Sequence, residues 1–391
     1  MKTLKDLELA GKRVLVRVDF NVPMSDSGEI TDDLRIRTVL PTLRYLVEQR
    51  ARVIICTHMG RPKGQRIEKL SLAPVAALAA EMLDQPIPLA PDCIGPEVAA
   101  AVAALKDGDC LMLENLRFHT EEEKNDPEFS RQLAEVADVY VNDAFAVSHR
   151  AHASVVGVTA HVREKAAGFL LQKEIEYFQR AIDNPQRPLV AIVGGAKVSD
   201  KLEALQNMLA RVDRVIIGGA MANTFLKSQG YAVGASKVED DLLETARELL
   251  AQAREKGIRV YLPVDVIVAD RFAPDAVTKQ VTIQDIPDNW MALDIGPASV
   301  MVFNEALADA KTIVWNGPMG AFEMDAYARG TMALAHTVAS SHALSVTGGG
   351  DSNAAIKQSG EAENISYMST GGGAFLMLME GRELPGVKAL A

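Results

Sequence analysis

The sequence predicts an α/β fold, and three observations lead there. Short runs rich in Val and Ile alternate with longer segments of helical period and high Ala, Leu, Glu and Lys content, the rhythm of β-α units around a parallel sheet. The 391 residues exceed the length at which one hydrophobic core usually stops growing, so two domains are expected. The apolar runs also end in two ways, with polar and basic residues in the first half and glycines in the second.

Taken in order, the first half gives strands at RVLVRVDF (13–20), RVIICTH (52–58), CLMLENL (110–116) and DVYVNDAF (138–145), with helices such as LRIRTVLPTLRYLVEQ and LAPVAALAAEML between them. The second half gives strands at LVAIVGG (189–195), RVIIGG (214–219), RVYLPVDVIVAD (259–270), TIVWNGP (312–318) and ALSVTGGG (343–350). The seam between halves comes after FLLQKEIEYFQRAI (169–182), where DNPQRP places two prolines around a polar turn. No short-period repeat or low-complexity segment interrupts this pattern.

Composition removes several classes of function. With 48% hydrophobic and 24% charged residues and no apolar stretch long enough for a membrane span, the chain reads as a soluble protein. Its start lacks the h-region of a signal peptide, so a cytoplasmic location is expected. A net charge of −11 argues against an extended nucleic-acid surface, which needs a basic stripe. Cys56, Cys93 and Cys110 lie far apart without the short spacings of a zinc site, and read as buried, reduced thiols. No Cys or His cluster has metal spacing, and no G-x-S-x-G elbow appears.

In parallel α/β sheets ligands bind beyond the carboxyl ends of the strands, so the residues just after each apolar run carry the function. The first half offers Asp19 and Asn21 in VDFNVP, His58 and Arg61 in THMGRP, Arg117 and His119 in ENLRFH, and Asn142, Asp143, His149 and Arg150 in NDAFAVSHRAH. Several guanidiniums with hydrogen-bonding partners suit a small polyanion, because the guanidinium fork matches carboxylate and phosphate oxygens in pairs. Singly, each residue has an ordinary explanation: a surface salt bridge for an Arg, a core position for His58, and simple solvation for either Arg35 or Arg37.

In the second half glycine dominates the strand ends, at 194–195, 218–219, 317, 348–350 and 371–373. Without a side chain, backbone N–H groups approach a phosphate closely, and a helix N-terminus next in the chain adds a favourable dipole. One such pair would mean only a tight turn; five on one side of a sheet suit a nucleotide. GGAKVSDK adds Lys197 and Lys201 one helical turn apart, yet fits neither the Walker loop nor G-x-G-x-x-G. Asp351 in GGGDSNAAI has the chemistry to hold Mg2+ on nucleotide phosphates or, with Ser352, to cap a helix. Glu323 in NGPMGAFE has the chemistry to accept from ribose hydroxyls.

Through RVDFNVP, HMGRP, ENLRF, SHRAHAS, GGAKVSDK, WNGPMGAFE, TGGGDS and STGGGAFL, in order from residue 13 to LMEGRELPGV, the chain closely resembles the phosphoglycerate kinases. The resemblance implies two Rossmann-like domains, each a mainly parallel sheet flanked by helices, joined by a hinge. Residues 1–183 would bind phosphoglycerate, residues 184–373 would bind nucleotide, and 374–391 would pack back on the first domain. It implies reversible phosphoryl transfer from 1,3-bisphosphoglycerate to ADP with Mg2+, giving 3-phosphoglycerate and ATP in glycolysis, in a protein expected to be a monomer. On the phosphoglycerate side it implies Asp19, Phe20, Asn21, Arg35, His58, Met59, Gly60, Arg61, Arg117 and Arg150, and RIRTVLPT aligns through its proline to make Arg35, not Arg37, the catalytic arginine. Lys197 would stabilise the phosphoryl group in flight, and backbone amides of Gly350 and Gly373 would assist. Lys201, Gly219, Asn316, Glu323, Gly349, Gly350, Asp351 and Ser352 would hold the nucleotide, with Asp351 at the metal. Ser352 stands where many relatives have Thr, which keeps the hydroxyl.

Two other classes remain open on sequence. An NAD-dependent dehydrogenase would explain the α/β rhythm and glycine turns, but predicts a G-x-G-x-x-G fingerprint that is missing. A non-catalytic binding protein on the same fold would require loss of key residues, whereas Arg35, Lys197, Lys201, Glu323 and Asp351 are present.

Overall fold

The computed structural model describes all 391 residues. Two compact units emerge: Met1–Ile175 together with Glu383–Ala391, and Glu176–Arg382. The divisions fall elsewhere than the 183/184 and 373/374 boundaries read from sequence. The polar turn at 184–188 is tied into the second unit, since Thr312 Oγ1 donates to Gln186 O at 2.8 Å and Arg187 pairs with Asp213 at 2.8 Å. The helix Gly372–Met379 stays with the second unit through Asn207 Nδ2, which donates to Met379 O at 2.6 Å. Of the residues after this helix, those from Glu383 onward belong to the first unit, where Gly386 N donates to Ser148 O at 2.9 Å.

The first unit holds a five-stranded parallel sheet: β1 (Arg13–Val18), β2 (Arg52–Cys56), β3 (Cys110–Met112), β4 (Val139–Asp143) and β5 (Glu164–Ala167), in the order β3-β2-β1-β4-β5. Val14 of β1 lies opposite Val53 on one side and Val139 on the other. Helices cover both faces of such a sheet, which is why its strands read as near-continuous apolar runs rather than alternating ones. On the helix Leu34–Glu48, Ile36, Val39, Leu40, Leu43 and Leu46 form the buried stripe, with the i, i+3, i+4, i+7 spacing that selected a helix from sequence. These residues share one apolar core with β1, β2 and the helix Ala73–Leu83.

The second unit holds a six-stranded parallel sheet and a small antiparallel one. The first comprises β6 (Leu189–Val193), β7 (Arg214–Ile217), β8 (Arg259–Tyr261), β12 (Thr312–Asn316), β13 (Leu344–Thr347) and β14 (Tyr367–Met368), in the order β14-β13-β12-β6-β7-β8. The second comprises β9 (Asp265–Ala269), β10 (Thr278–Thr282) and β11 (Met291–Ile295), in the order β10-β9-β11. The single strand expected at 259–270 is therefore two strands in two sheets. Pro263, which has no N–H to give a ladder, stands between them. The strands β10 and β11 were not expected, and β10 is almost wholly exposed, so its TKQVT sequence carries no burial signal. No helix is long and apolar enough to cross a membrane.

Candidate active site

Strand order reverses once in each parallel sheet, between β1 and β4 in the first unit and between β6 and β12 in the second. At such a reversal the two outgoing segments leave in opposite directions and open a crevice at the carboxyl end of the sheet. Most of the polar residues singled out from sequence come directly after these strands or their neighbours.

In the first unit Asp19 comes just after β1, is 7% exposed, and pairs with Arg35 from the start of the helix Leu34–Glu48. Arg37, two residues on, instead pairs with Asp33 at 2.6 Å and is exposed, so Arg35 is the one that faces the cluster. Asn21 Oδ1 accepts from Gly60 N at 2.9 Å, linking the segments after β1 and β2. Arg117 is buried and donates from Nη1 to Gly60 O at 2.7 Å. Its Nε and Nη2 have no hydrogen-bond partner, although Glu123 Oε1 stands 3.5 Å from Nε. Buried donors of this kind are costly to leave unpaired, so an anion is the natural complement. Arg150, half-buried, donates from Nε to His149 Nε2 at 3.3 Å, while Arg61 is exposed.

Phe20 and Met59 contribute differently, because both side chains are buried. Phe20 N donates to Thr57 Oγ1 at 2.9 Å, and Asn115 both accepts from Met59 N at 3.1 Å and donates to Met59 O at 2.8 Å. They fix the course of the chain around Asp19, Asn21 and Gly60.

His58 proves to be buried as well as at a strand end: it is 3% exposed, with Nδ1 at 3.2 Å from Arg17 Nη2 and 3.7 Å from Asp19 Oδ1. Burial, and then the positive charges of Arg17, Arg117, Arg35 and Arg150, hold its pKa well below the usual histidine range. His152 is pushed down to about 3 by burial and by three of the same arginines. Burial also lowers the pKa of Arg117, and the like charges of Arg150 and Arg17 add to it. The four guanidinium groups around His58 add positive potential to this burial.

Sequence reading missed the layer beneath. Arg17, buried on β1, donates from Nε to Ser154 Oγ at 2.8 Å, and Ser154 in turn donates to the buried Glu122 through its N at 2.9 Å and its Oγ at 2.5 Å. The one signal available was a charge inside the apolar run RVLVRV.

In the second unit the segments after β6 and β12 interlock at the reversal. Gly194 N donates to Asn316 O at 2.9 Å, Gly195 N to Pro318 O at 3.1 Å, and Gly219 N to Met319 O at 3.0 Å. Gly219 has φ +68°, and a Cβ there would sit 2.6 Å from both the N and the O of Gly195, so only glycine lets the three segments meet. Ser352 Oγ accepts from Gly317 N at 2.6 Å and donates to Gly348 O at 3.0 Å, fixing the start of the helix Gly350–Gln358. Asn316 Nδ2 donates to Gly348 O at 2.7 Å, while its buried Oδ1 has no partner. Gly372, first residue of the helix Gly372–Met379, lies against Gly349, so two helix N-termini converge with Gly350 and Gly373 exposed in their first turns.

A cavity of about 510 Å³ opens here, lined by Gly195, Gly219, Pro318, Glu323 and Asp351 among others. That volume suits a nucleotide-sized ligand. Lys197 is exposed on the segment after β6, and Lys201 is half-buried with its pKa lowered by burial despite the opposing charges of Asp200 and Asp351. Glu239, missed in the sequence, grips this segment by accepting from Val198 N at 2.6 Å and Ser199 N at 3.1 Å.

Asp294, also missed, is 4% exposed behind the cavity wall that Met291, Leu293, Gly320 and Ala321 help to form. It accepts from Gly330 N at 2.8 Å and Ile295 N at 2.9 Å, and burial pushes its pKa up to about 7. Between the ordinary aspartate value of 3.8 and about 7 the folded state binds more protons than the unfolded, so stability falls as pH rises through that window. Asp294→Asn is expected to remove this slope. Denaturant unfolding of parent and variant at about pH 4 and about pH 8 checks it, with the parent losing more stability on going to the higher pH.

A guanidinium-rich cluster at the strand ends of one parallel sheet and a glycine-framed cavity at those of another have the chemistry to take two anionic substrates, as a phosphotransferase does. The family model for phosphoglycerate kinase matches residues 4–382. The chain is 69% identical over 390 residues to a phosphoglycerate kinase of Desulfotalea psychrophila, covering 100% of both chains. It is 57% identical over 382 residues to one from a Geobacter species, covering 98% of this chain and 96% of that one. Among solved structures, phosphoglycerate kinase from Coxiella burnetii superposes with a TM-score of 0.91 at 44% identity, covering 99% of this chain and 98% of the other. That from Pyrococcus horikoshii gives 0.86 at 36%, covering 100% and 98%. The chain belongs to the phosphoglycerate kinase family and is an enzyme of that type.

Proposed function

We propose that the protein transfers a phosphoryl group reversibly between 1,3-bisphosphoglycerate and ADP, giving 3-phosphoglycerate and ATP, by direct in-line displacement after the two units close on their ligands. Alongside family membership, the observation that carries this reading is the unsatisfied guanidinium edge of Arg117, set among Arg17, Arg35 and Arg150 in the first unit. Asp19, Asn21, His58, Arg61, Arg117 and Arg150 would hold the phosphoglycerate, with Phe20, Met59 and Gly60 shaping the backbone around it. The second-unit cavity would take the nucleotide on Gly219, Asn316, Glu323, Lys201 and the Gly349–Ser352 turn.

In the forward direction a β-phosphate oxygen of ADP attacks the acyl phosphate, the P–O bond to the carboxyl breaks, and the carboxylate leaves. A carboxylate is already a good leaving group, so positioning and positive charge on the equatorial oxygens matter more than proton transfer. Lys197, Arg35 and the amides of Gly350 and Gly373 at their helix N-termini would supply that charge. The exposed carboxylate of Asp351 in the cavity wall fits Mg2+, a hard cation that keeps several waters and takes one or two carboxylates with substrate phosphates. When bound, the ion would neutralise phosphate charge.

A coupled assay of ATP consumption with 3-phosphoglycerate and Mg2+ tests the reaction, and a folded but inactive parent would sink it. Because Arg35 and Lys197 belong to different units and water is a competing acceptor, closure is part of the proposal. Both substrates together are expected to reduce the radius of gyration more than either alone. Small-angle scattering unchanged with both bound would count against closure. We further place the enzyme in the cytoplasm as a monomer.

A further inference from the structure

His119 stands two residues after the strand-end arginine Arg117, and the phosphoryl transfer leaves it unused. The fold brings it to Asp92 and Cys93, although 25 residues or more separate them in sequence. His119 Nε2 lies 2.7 Å from Asp92 Oδ1, and the ligand atoms of Asp92, Cys93 and His119 all lie within 4.8 Å of one another. Zinc-type cations bound at about 2.0–2.3 Å in tetrahedral geometry hold their ligand atoms roughly 3.3–3.8 Å apart, so an ion fits this set once the 2.7 Å His119–Asp92 contact opens slightly and the longer separations close.

The scaffold is already tied. Glu114 N donates to Asp92 O at 3.3 Å, Arg66 donates to Pro91 O at 2.8 Å, and the His119 ring packs on Phe129 at 5.3 Å. Cys93 is fully buried, whereas Asp92 and His119 are half-exposed and leave a wet side for entry and for a fourth ligand. Glu121 adds negative charge at His119, against which Arg66 is the opposing cation.

We propose that Asp92, Cys93 and His119 form a site for a borderline-soft divalent cation of the zinc class, with water in the fourth position. On binding, the Cys93 thiol and His119 Nε2 each lose a proton to solvent, the ring keeping or taking its one remaining proton on Nδ1, and sulfur, nitrogen and carboxylate oxygen each bond the ion. No electron is exchanged. The ion would pin the segment leading to the helix Pro96–Ala103 onto the turn that carries Arg117.

Titration of the full chain with Co2+ tests this. A thiolate-to-cobalt charge-transfer band that saturates at one ion per chain and is displaced by Zn2+ is expected. Cys93→Ser should lose the band although Cys56 and Cys110 remain, and His119→Ala should weaken Co2+ binding about tenfold or more. No band in the parent, an undiminished band in Cys93→Ser, or unchanged affinity in His119→Ala would overturn the proposal. Should either variant fail to fold, alkylation of the parent decides. Zn2+ but not Mg2+ should slow modification at Cys93, and equal rates with the two ions would refute the site.

Discussion

Lys197→Ala is expected to lower kcat about 100- to 1,000-fold in the coupled assay, the scale set by removing one group that stabilises transition-state charge. Lys197 is exposed, so its loss should leave the unfolding midpoint nearly unchanged, within about 0.5 kcal/mol in stability. Arg35→Ala should give a fall of similar size, with one difference. Arg35 also neutralises Asp19, which is 7% exposed, so a modest loss of stability should accompany the loss of rate. Arg35→Lys separates the two roles, because it restores charge beside Asp19 without the planar fork. If it recovers stability but not rate, the geometry of the guanidinium is what the reaction uses. Full activity in both alanine variants would show that the transferring group is stabilised by other residues.

Gly219→Ala should destabilise the second unit by about 2–4 kcal/mol, combining left-handed backbone strain with an overpacked contact. The contact is severe because the neighbours cannot move independently: the nearest atoms to the added Cβ are Gly195 N, Gly195 O and Pro318 O, all backbone. Gly230→Ala is the control. Its φ is +94°, but nothing lies within 4 Å of the added Cβ, so strain acts there without a clash. Denaturant unfolding of the two variants should therefore differ, and Gly219→Ala alone should raise KM for the nucleotide. Equal losses would mean that the segments after β6, β7 and β12 do not meet at Gly219.

The parts of this molecule visible in its sequence are those where one residue type has one physical use. Apolar runs such as VLVRV and VAIVG give the central strands because a sheet covered on both faces needs continuous apolar character, and Gly194–Gly195 and Gly348–Gly350 mark strand ends because the backbone turns sharply there. What sequence hid was partnership. The split at Pro263 is visible as a proline, but which sheet each half joins depends on strands far along the chain. β10 pairs through its backbone with almost no buried side chain to announce it. Arg17, Glu122 and Asp294 look like ordinary charges until the fold closes over them, and Glu239 until the fold brings it to Val198 N and Ser199 N. Asp92, Cys93 and His119 escape any spacing rule because two separate segments bring them together.

The first unit is assembled from both Met1–Ile175 and Glu383–Ala391, with all of the second unit between them. During synthesis the ribosome must therefore add all of Glu176–Arg382 before the last piece of the first unit exists. Until then Asn142, Ser148 and Val155 lack the Gly386 segment that packs on them, through the Gly386 N bond to Ser148 O and a bond at 3.4 Å from Asn142 Nδ2 to Gly386 O. The final segment of the first unit is thus the last part of the protein to be made, after the whole of the second.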